Sequence, residues 1–472
     1  PGRLANTPDE LTRRSTSVLD GATPSQVVRL FRKIVEAAEE IIGRDRRDPV
    51  PAIAAMSVSA FMNWDSELAA WFRKYTDPRT RLFLIALAFL EGEPAADVLD
   101  RSERLGATLG EARDFRGGIG TPGIRQLAQD VVAEVDELWQ IRFTRAAYAA
   151  SVLAFVHGDQ SREFRRRLWE WAAVLPMRNG PPNLRIAGRV AAAMLDMHLA
   201  MPSPNTPELR FLVQSWWPHP ALRPVVTNLI TALALSPEAG SIMRRRLLQW
   251  AAEAADSRVL GAVAAVSAGS FADAYPQAAF TRMNWLAARG IVNDEVIGAV
   301  TALWQRPAHR TAVLRQVVSW TGEDGPRRMA GLRALAAISE EPSDVRAVFG
   351  ELAGDDELRA DLARMLADLF RQRGEPSGEF RQALKAWLEI AGERPEDRDL
   401  IAHLLIHGRP AGLDDGMSTH CAAVHSLLFE WRPVLGQDEN SQARKFRTQL
   451  VRQLTQIDPL TRHRADPLAV AG

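Results

Sequence analysis

Seven tryptophans, Trp171, Trp216, Trp250, Trp285, Trp320, Trp387 and Trp431, recur at intervals of 45, 34, 35, 35, 67 and 44 residues. The interval of 67 is close to twice 34, which places a Trp-less copy near Leu352. The surroundings recur as well. Arg166-Arg167-Leu168-Trp169-Glu170-Trp171-Ala172-Ala173 resembles Arg245-Arg246-Leu247-Leu248-Gln249-Trp250-Ala251-Ala252, and Val317-Val318-Ser319-Trp320 and Arg381-Gln382-Ala383-Leu384-Lys385-Ala386-Trp387-Leu388 are looser copies. A period of about 35 to 45 residues is that of two-helix repeats. One helix pair cannot bury its apolar face alone, so neighbours must stack into a continuous core. A tryptophan at one repeat position buries a large apolar area at each junction. The series is therefore expected in the core, with a ligand-stacking ladder as the alternative. It lacks the signature residues of tetratricopeptide and ankyrin repeats.

Strand-like alternation is almost missing, and Ala, Leu, Arg and Glu dominate, all good helix formers. Pro, Gly, Asp and Ser fall between apolar-periodic stretches, as in Thr76-Asp77-Pro78, Gly92-Glu93-Pro94 and Glu340-Glu341-Pro342. The expected fold is all-α: an α-solenoid of irregular two-helix (HEAT-like) repeats, preceded by a helical and a winged-helix-like region. Four regions are expected. Residues 1–75 form an N-terminal helical, lid-like region with helices near 24–43 and 56–75 and a basic loop over 44–51. Residues 76–160 form a winged-helix-like module. There the 82–90 run is apolar all round and reads as a buried helix. A second helix starts at Pro94, and 138–143 is the one convincing alternating stretch. Helix follows again over 148–156. Residues 161–455 form the repeat domain, and 456–472 a C-terminal tail.

Lys+Arg and Asp+Glu both number 58, so no basic excess points to nucleic acid. Only Lys33, Lys74, Lys385 and Lys445 are lysines; the other 54 cations are arginines. That bias reads as the codon usage of a GC-rich genome, or as arginine forks clamping phosphate or carboxylate. A single cysteine, Cys421, excludes an internal disulfide and fits a reducing cytoplasm. No apolar run approaches the ~20 residues that span a bilayer. The chain opens Pro1-Gly2, which reads as a piece of a longer polypeptide or a tag remnant.

No Walker-type loop, H-E-x-x-H, G-x-S-x-G, kinase signature or calcium loop occurs, so no catalytic residue and no cofactor is expected. The Gly-rich segment 117–123 has no lysine and reads as a turn. His403 and His407 share a helix face, with His420, Cys421 and His425 shortly after. Such ligands could bind zinc, but no carboxylate is placed as a general base, and the bland reading is capping or core histidines. The arginine runs ending in Arg166-Arg167 and Arg244-Arg245-Arg246 could line a concave, partner-binding face, against the plainer reading of solvated helix faces.

Trp71-Phe72, Asp77-Pro78-Arg79, the helix end Ile85-Ala86-Leu87-Ala88-Phe89-Leu90-Glu91-Gly92, and Ile141-Arg142-Phe143 before Tyr148 resemble the region after the nucleotide-binding domain in STAND-type NTPases, which include bacterial NACHT-like and NLR-like proteins. In that family the order is NTPase core, helical lid, winged helix and repeat sensor. The P-loop is absent from this chain, so no catalytic residue carries over. The resemblance implies that the repeats sense a ligand or partner and that the winged helix relays the signal. The expected function is a non-catalytic sensor or scaffold segment that binds a protein or another macromolecule through its repeat surface, as part of a larger signalling or defence NTPase. The alternatives are DNA binding through the winged-helix-like module, with Arg142 and Arg145 as first contacts, and an enzyme of unrecognised type.

Overall fold

A computed structural model describes residues 64–111, 122–145, 148–177, 180–202, 207–290, 293–371, 378–407, 417–431 and 442–458. The fold is all-α, with one short β-hairpin among the described residues. The expected helix over 24–43, the basic loop and most of the Gly-rich segment lie outside the described residues. No described helix is long and apolar enough to cross a membrane. The chain forms two compact units, 1–246 and 247–472.

The first unit holds α1 (Asp65–Lys74), α2 (Pro78–Leu90), α3 (Ala95–Leu109), α4 (Ile124–Asp130), β1 (Ala133–Val135), β2 (Ile141–Phe143), α5 (Tyr148–Asp159), α6 (Arg162–Val174), α7 (Leu184–Ala200), α8 (Pro207–Trp216) and α9 (Arg223–Leu235). The division falls within α10 (Gly240–Glu253). Helix α2 is its centre. Asp77 caps it by accepting from the Thr80 amide at 3.1 Å, and Pro78 stands at the first helical position, where its missing N–H costs nothing. The apolar run has no polar face, so α2 is covered by α3, α4, α5 and α7.

The order after α2 differs from the expected helix, short strand, helix. A third helix and a second strand intervene, and β1 pairs antiparallel with β2, Ala133 opposite Phe143 and Val135 opposite Ile141. Pro94 pairs with Gln140, so the α2–α3 connection forms a third edge. The expected strand over 138–143 is shortened to its second half. Asp136 accepts from the amides of Leu138 and Gln140 at 2.9 and 2.8 Å, which closes a turn instead. Trp139 at its tip has a φ of 57°, a left-handed conformation rare for a bulky residue.

The second unit continues from α10 through α11 (Ser257–Ala268), α12 (Ser270–Ala274), α13 (Pro276–Arg289), α14 (Asn293–Trp304), α15 (Arg310–Thr321), α16 (Pro326–Ala337), α17 (Pro342–Ala353), α18 (Asp356–Arg371), α19 (Gly378–Glu393) and α20 (Arg398–Ala402). A π-turn over His403–His407 follows, then α21 (Met417–Glu430) and α22 (Gln442–Ile457). Packing is between near neighbours along the chain. Helix α11 meets α13 and α14; α16 meets α13, α14, α15 and α19; α19 meets α17 and α22; α18 meets α15 and α21. Hydrogen bonds that join successive repeats in this unit span between 33 and 49 positions, from Arg306–Asp273 to Arg381–Glu430. That spacing is what two-helix repeats stacking on their neighbours require.

Six of the seven tryptophans of the series are buried. Trp216, Trp320, Trp387 and Trp431 are at most 1% exposed, and Trp171 and Trp250 are also buried. Within the first unit, Trp216 Nε1 donates to the Ala173 carbonyl one repeat earlier at 2.7 Å. In the second, Trp320 Nε1 donates to Asn284 Oδ1 at 2.9 Å. The Trp-less copy is α17, where Leu352 is buried and Phe349 meets Trp387 edge-on at 5.9 Å. Trp285 is the correction: it is 44% exposed. The buried face of α13 is drawn by Ala279, Arg282, Met283, Leu286 and Ala287, and Trp285 lies off it. Trp304, outside the 35-residue series, is fully buried in the adjoining helix.

The arginines have a structural use that composition did not reveal. Pro220, Pro307 and Pro395 recur at intervals of 87 and 88 residues, each with an arginine three positions later. Each proline opens a 3-10 turn between two helices. Arg223 Nε donates to the Trp217 carbonyl at 2.9 Å, Arg310 Nε to that of Trp304 at 3.1 Å, and Arg398 Nη2 to that of Gly392 at 2.9 Å. Pro78 and Arg81 repeat the device, with Arg81 Nε on the Tyr75 carbonyl at 2.6 Å. In all four the acceptor is six residues before the arginine, at the end of the preceding helix. Unpaired carbonyls and the negative dipole end there both favour a cation. Arg244 on the Ala234 carbonyl, Arg306 on Gly269 and Arg447 on Leu428 serve helix ends in the same way.

Candidate functional site

In the second unit, α14, α16 and α19 enclose a cleft of about 480 Å3. That size lies in the range of ligand-binding clefts, about 300–1,000 Å3. Ile297 comes from α14, Arg333, Ala336 and Ala337 from α16, Ser339 and Glu340 from the turn after it, and Glu379, Gln382, Ala383 and Ala386 from α19. The small side chains at four of these positions explain why three packed helices leave space. Alanine keeps helix propensity high without filling the gap.

Arg333 ties the walls together. Its Nη2 lies 2.8 Å from Asp294 Oδ1 of α14, and its Nε 3.6 Å from Glu379 Oε2 of α19. The Ser339 hydroxyl is different in kind. The residue is 1% exposed and its Oγ has no hydrogen-bond partner among the described residues. A buried hydroxyl left unpaired costs roughly 1–3 kcal/mol. Ser339 also stands where α16 ends: its amide closes the helix on the Ala336 carbonyl at 3.0 Å.

The residues singled out from sequence fall elsewhere. Arg166 and Arg167 lie on α6 and share Glu163, Arg166 Nη2 at 2.7 Å and Arg167 Nε at 2.7 Å, while Arg166 also reaches Glu170. Hydrogen bonds from Arg166 and then Arg167 hold the Glu163 carboxyl down to about 2. Arg244, Arg245 and Arg246 lie on α10 and have unlike surroundings. Arg244 serves the Ala234 carbonyl, Arg246 is half-buried and its guanidinium is pushed down chiefly by burial, and Arg245 is exposed. The structure thus gives the two runs separate helices and separate partners.

His420 is buried, its Nε2 3.0 Å from the Leu405 carbonyl of the π-turn and its ring edge-on to Phe370 at 5.6 Å. Cys421 is fully buried, His425 half-buried, and His403 lies in the π-turn with His407, whose side chain lies outside the described residues. Among the described residues no three His, Cys, Asp or Glu side chains are placed to hold a metal ion.

On the hairpin, Arg142 Nη2 meets Gln140 Oε1 at 3.2 Å. Arg145 pairs with Glu67 and stacks over Trp64 at 4.7 Å and Tyr148 at 5.6 Å. The tip exposes two large apolar side chains, Leu138 at 77% and Trp139 at 54%, with the Arg125 guanidinium over the Trp139 ring at 5.6 Å.

The cleft was not anticipated from sequence. Its acids and its arginine come from three helices, and neither Arg333 nor Ser339 belongs to a recognisable motif. No protein-family model matches the chain, and no curated protein matches it in sequence.

Proposed function

We propose that this chain is a non-catalytic sensor or scaffold segment whose stacked helical repeats bind a protein partner. The observation that carries this reading is the cleft between α14, α16 and α19, which neighbour-on-neighbour stacking leaves on the repeat surface. Stacked repeats make extended binding faces of this kind. In this reading the repeats continue as a solenoid, the module over 76–160 is a winged-helix-like relay, and the chain is the lid, winged-helix and repeat portion of a STAND-type NTPase. Arg245, and the Arg166–Arg167 and Arg244–Arg246 runs generally, are secondary contact points on the first unit. The test is photo-crosslinking in the native cell from single exposed positions across 247–458, each adduct identified by mass. Recurrent adducts with one protein from positions around the cleft are expected. No protein adduct from any of these positions would discard the reading.

Three helices followed by an antiparallel hairpin also suit a DNA-reading winged helix, which is the second reading. Charge argues against it. Helix α4 and the hairpin carry Arg125 and Arg142 against Asp130, Glu134, Asp136 and Glu137, and Arg145 is engaged by Glu67. Phosphate neutralisation needs a basic face. No shift of duplex DNA at low salt is expected. A salt-dependent shift abolished by Arg142→Glu would restore this reading.

A further inference from the structure

We infer that the cleft between α14, α16 and α19 receives a basic side chain, arginine or lysine, presented by the protein partner; this rests on the protein-binding reading above. The charge balance is the first ground. Among the described residues, Arg333 is the one cation lining the cleft, and it already sits between Asp294 and Glu379. Glu340 and Glu379 thus line the cleft as two carboxylates against that single guanidinium, which Asp294 also engages. The neighbouring cations of α19 are turned to other work: Lys385 Nζ lies 2.8 Å from Glu430 Oε2, and Arg381 reaches Ser426 and Glu430 of α21.

The second ground is the end of α16. This helix of 12 residues terminates at the cleft, and the negative end of its dipole adds to the carboxylates. The third is Ser339. Ser339 lines the site beside four alanines, its buried Oγ has no hydrogen-bond partner among the described residues, and a hydroxyl oxygen can accept from a guanidinium or ammonium. An anionic ligand would meet Glu340 and Glu379 with only a neutralised arginine in return. The alanines of α16 and α19 provide an apolar wall for the methylene stem of a long basic side chain, whose charged head would reach the carboxylates.

The test uses the full chain and a blocked Gly-Arg-Gly peptide, followed by ligand-observed NMR at low salt, with Gly-Lys-Gly and Gly-Glu-Gly beside it. Saturable binding of the two basic peptides and none of the acidic one is expected. Binding should weaken at least tenfold in the Glu340→Gln, Glu379→Gln double variant, whose changes are at exposed positions, and vanish when Ala337→Trp fills the cleft. Equal binding of Gly-Glu-Gly, no binding of the basic peptides, or binding indifferent to the double variant would overturn the inference. Should Ala337→Trp fail to fold, the double variant alone decides. Protein adducts around the cleft without basic-peptide binding would discard the charge assignment and leave the protein-binding reading standing; absence of adducts would discard that reading itself.

Discussion

Arg310 grips Trp304 twice: its Nε donates to the Trp304 carbonyl at 3.1 Å, and its guanidinium lies 5.5 Å over the same residue's indole ring. Arg223 does the same to Trp217, at 2.9 Å and 5.3 Å. One side chain thus closes the end of one helix and opens the next, with Pro307 or Pro220 fixing the turn between them. Arg310→Gln should lower stability by about 1–2 kcal/mol, from a charge-assisted hydrogen bond and a cation–π contact. Arg310→Lys should recover only part of this, because an ammonium lacks the planar fork. Urea midpoints of the three proteins check it; equal midpoints would mean the grip contributes nothing.

Trp320 and Trp285 share a sequence pattern and differ in position. Trp320→Ala should cost about 3–5 kcal/mol, as removal of a buried aromatic does. Trp285→Ala should stay within about 0.5 kcal/mol, as surface changes do. Thermal or urea unfolding of both variants distinguishes this from a uniform tryptophan core, for which the two losses would match.

Gly331 is where α15 and α16 touch. A Cβ there would stand 2.7 Å from Thr321 Cγ2 and 2.9 Å from the Thr321 backbone nitrogen. Gly331→Ala should destabilise by about 1–3 kcal/mol through overpacking. Gly298, on α14, has open space around its Cβ position, and Gly298→Ala should stabilise by about 0.5–1 kcal/mol through lower backbone entropy in the unfolded chain. A pair of melting curves decides both signs.

His157 and His198 in the first unit are both held down to about 4, by burial first and in each case by a nearby cationic arginine. The ordinary value is 6.5, so the unfolded chain binds more protons than the folded one between the two values. Stability from these groups is full above about 6.5 and is lost as pH falls toward 4. His198 donates through Nδ1 to the Met194 carbonyl at 2.8 Å, which leaves the buried Nε2 unprotonated and without a partner among the described residues. For this residue the loss is about 3 kcal/mol across the window. His198→Leu should flatten the acid limb of a stability–pH profile measured by urea titration. An unchanged limb would assign the acid sensitivity to other groups.

The helical character of this chain and the two-helix spacing of its repeats were legible from composition and from the tryptophan intervals, because helix propensity and apolar period are local properties. Helix α2 was legible for the same reason: nine successive apolar residues, 82–90, leave a helix no face to offer water. The hairpin was only half legible, since β1 is three residues long and the Asp136 turn displaced Trp139 from the strand it resembles. Trp285 and Trp304 show the limit more sharply: which one is buried depends on a helix's rotation about its axis, fixed by Ala279, Met283 and Leu286 acting together. The Pro-x-x-Arg device was present in the sequence at 87- and 88-residue intervals, but its meaning required seeing the arginine fold back on a carbonyl. The cleft was decided by tertiary structure alone. Asp294, Arg333 and Glu379 are separated by 39 and 46 positions, and only the stacking of three helices places their charges within a few ångströms, where Coulomb interaction matters.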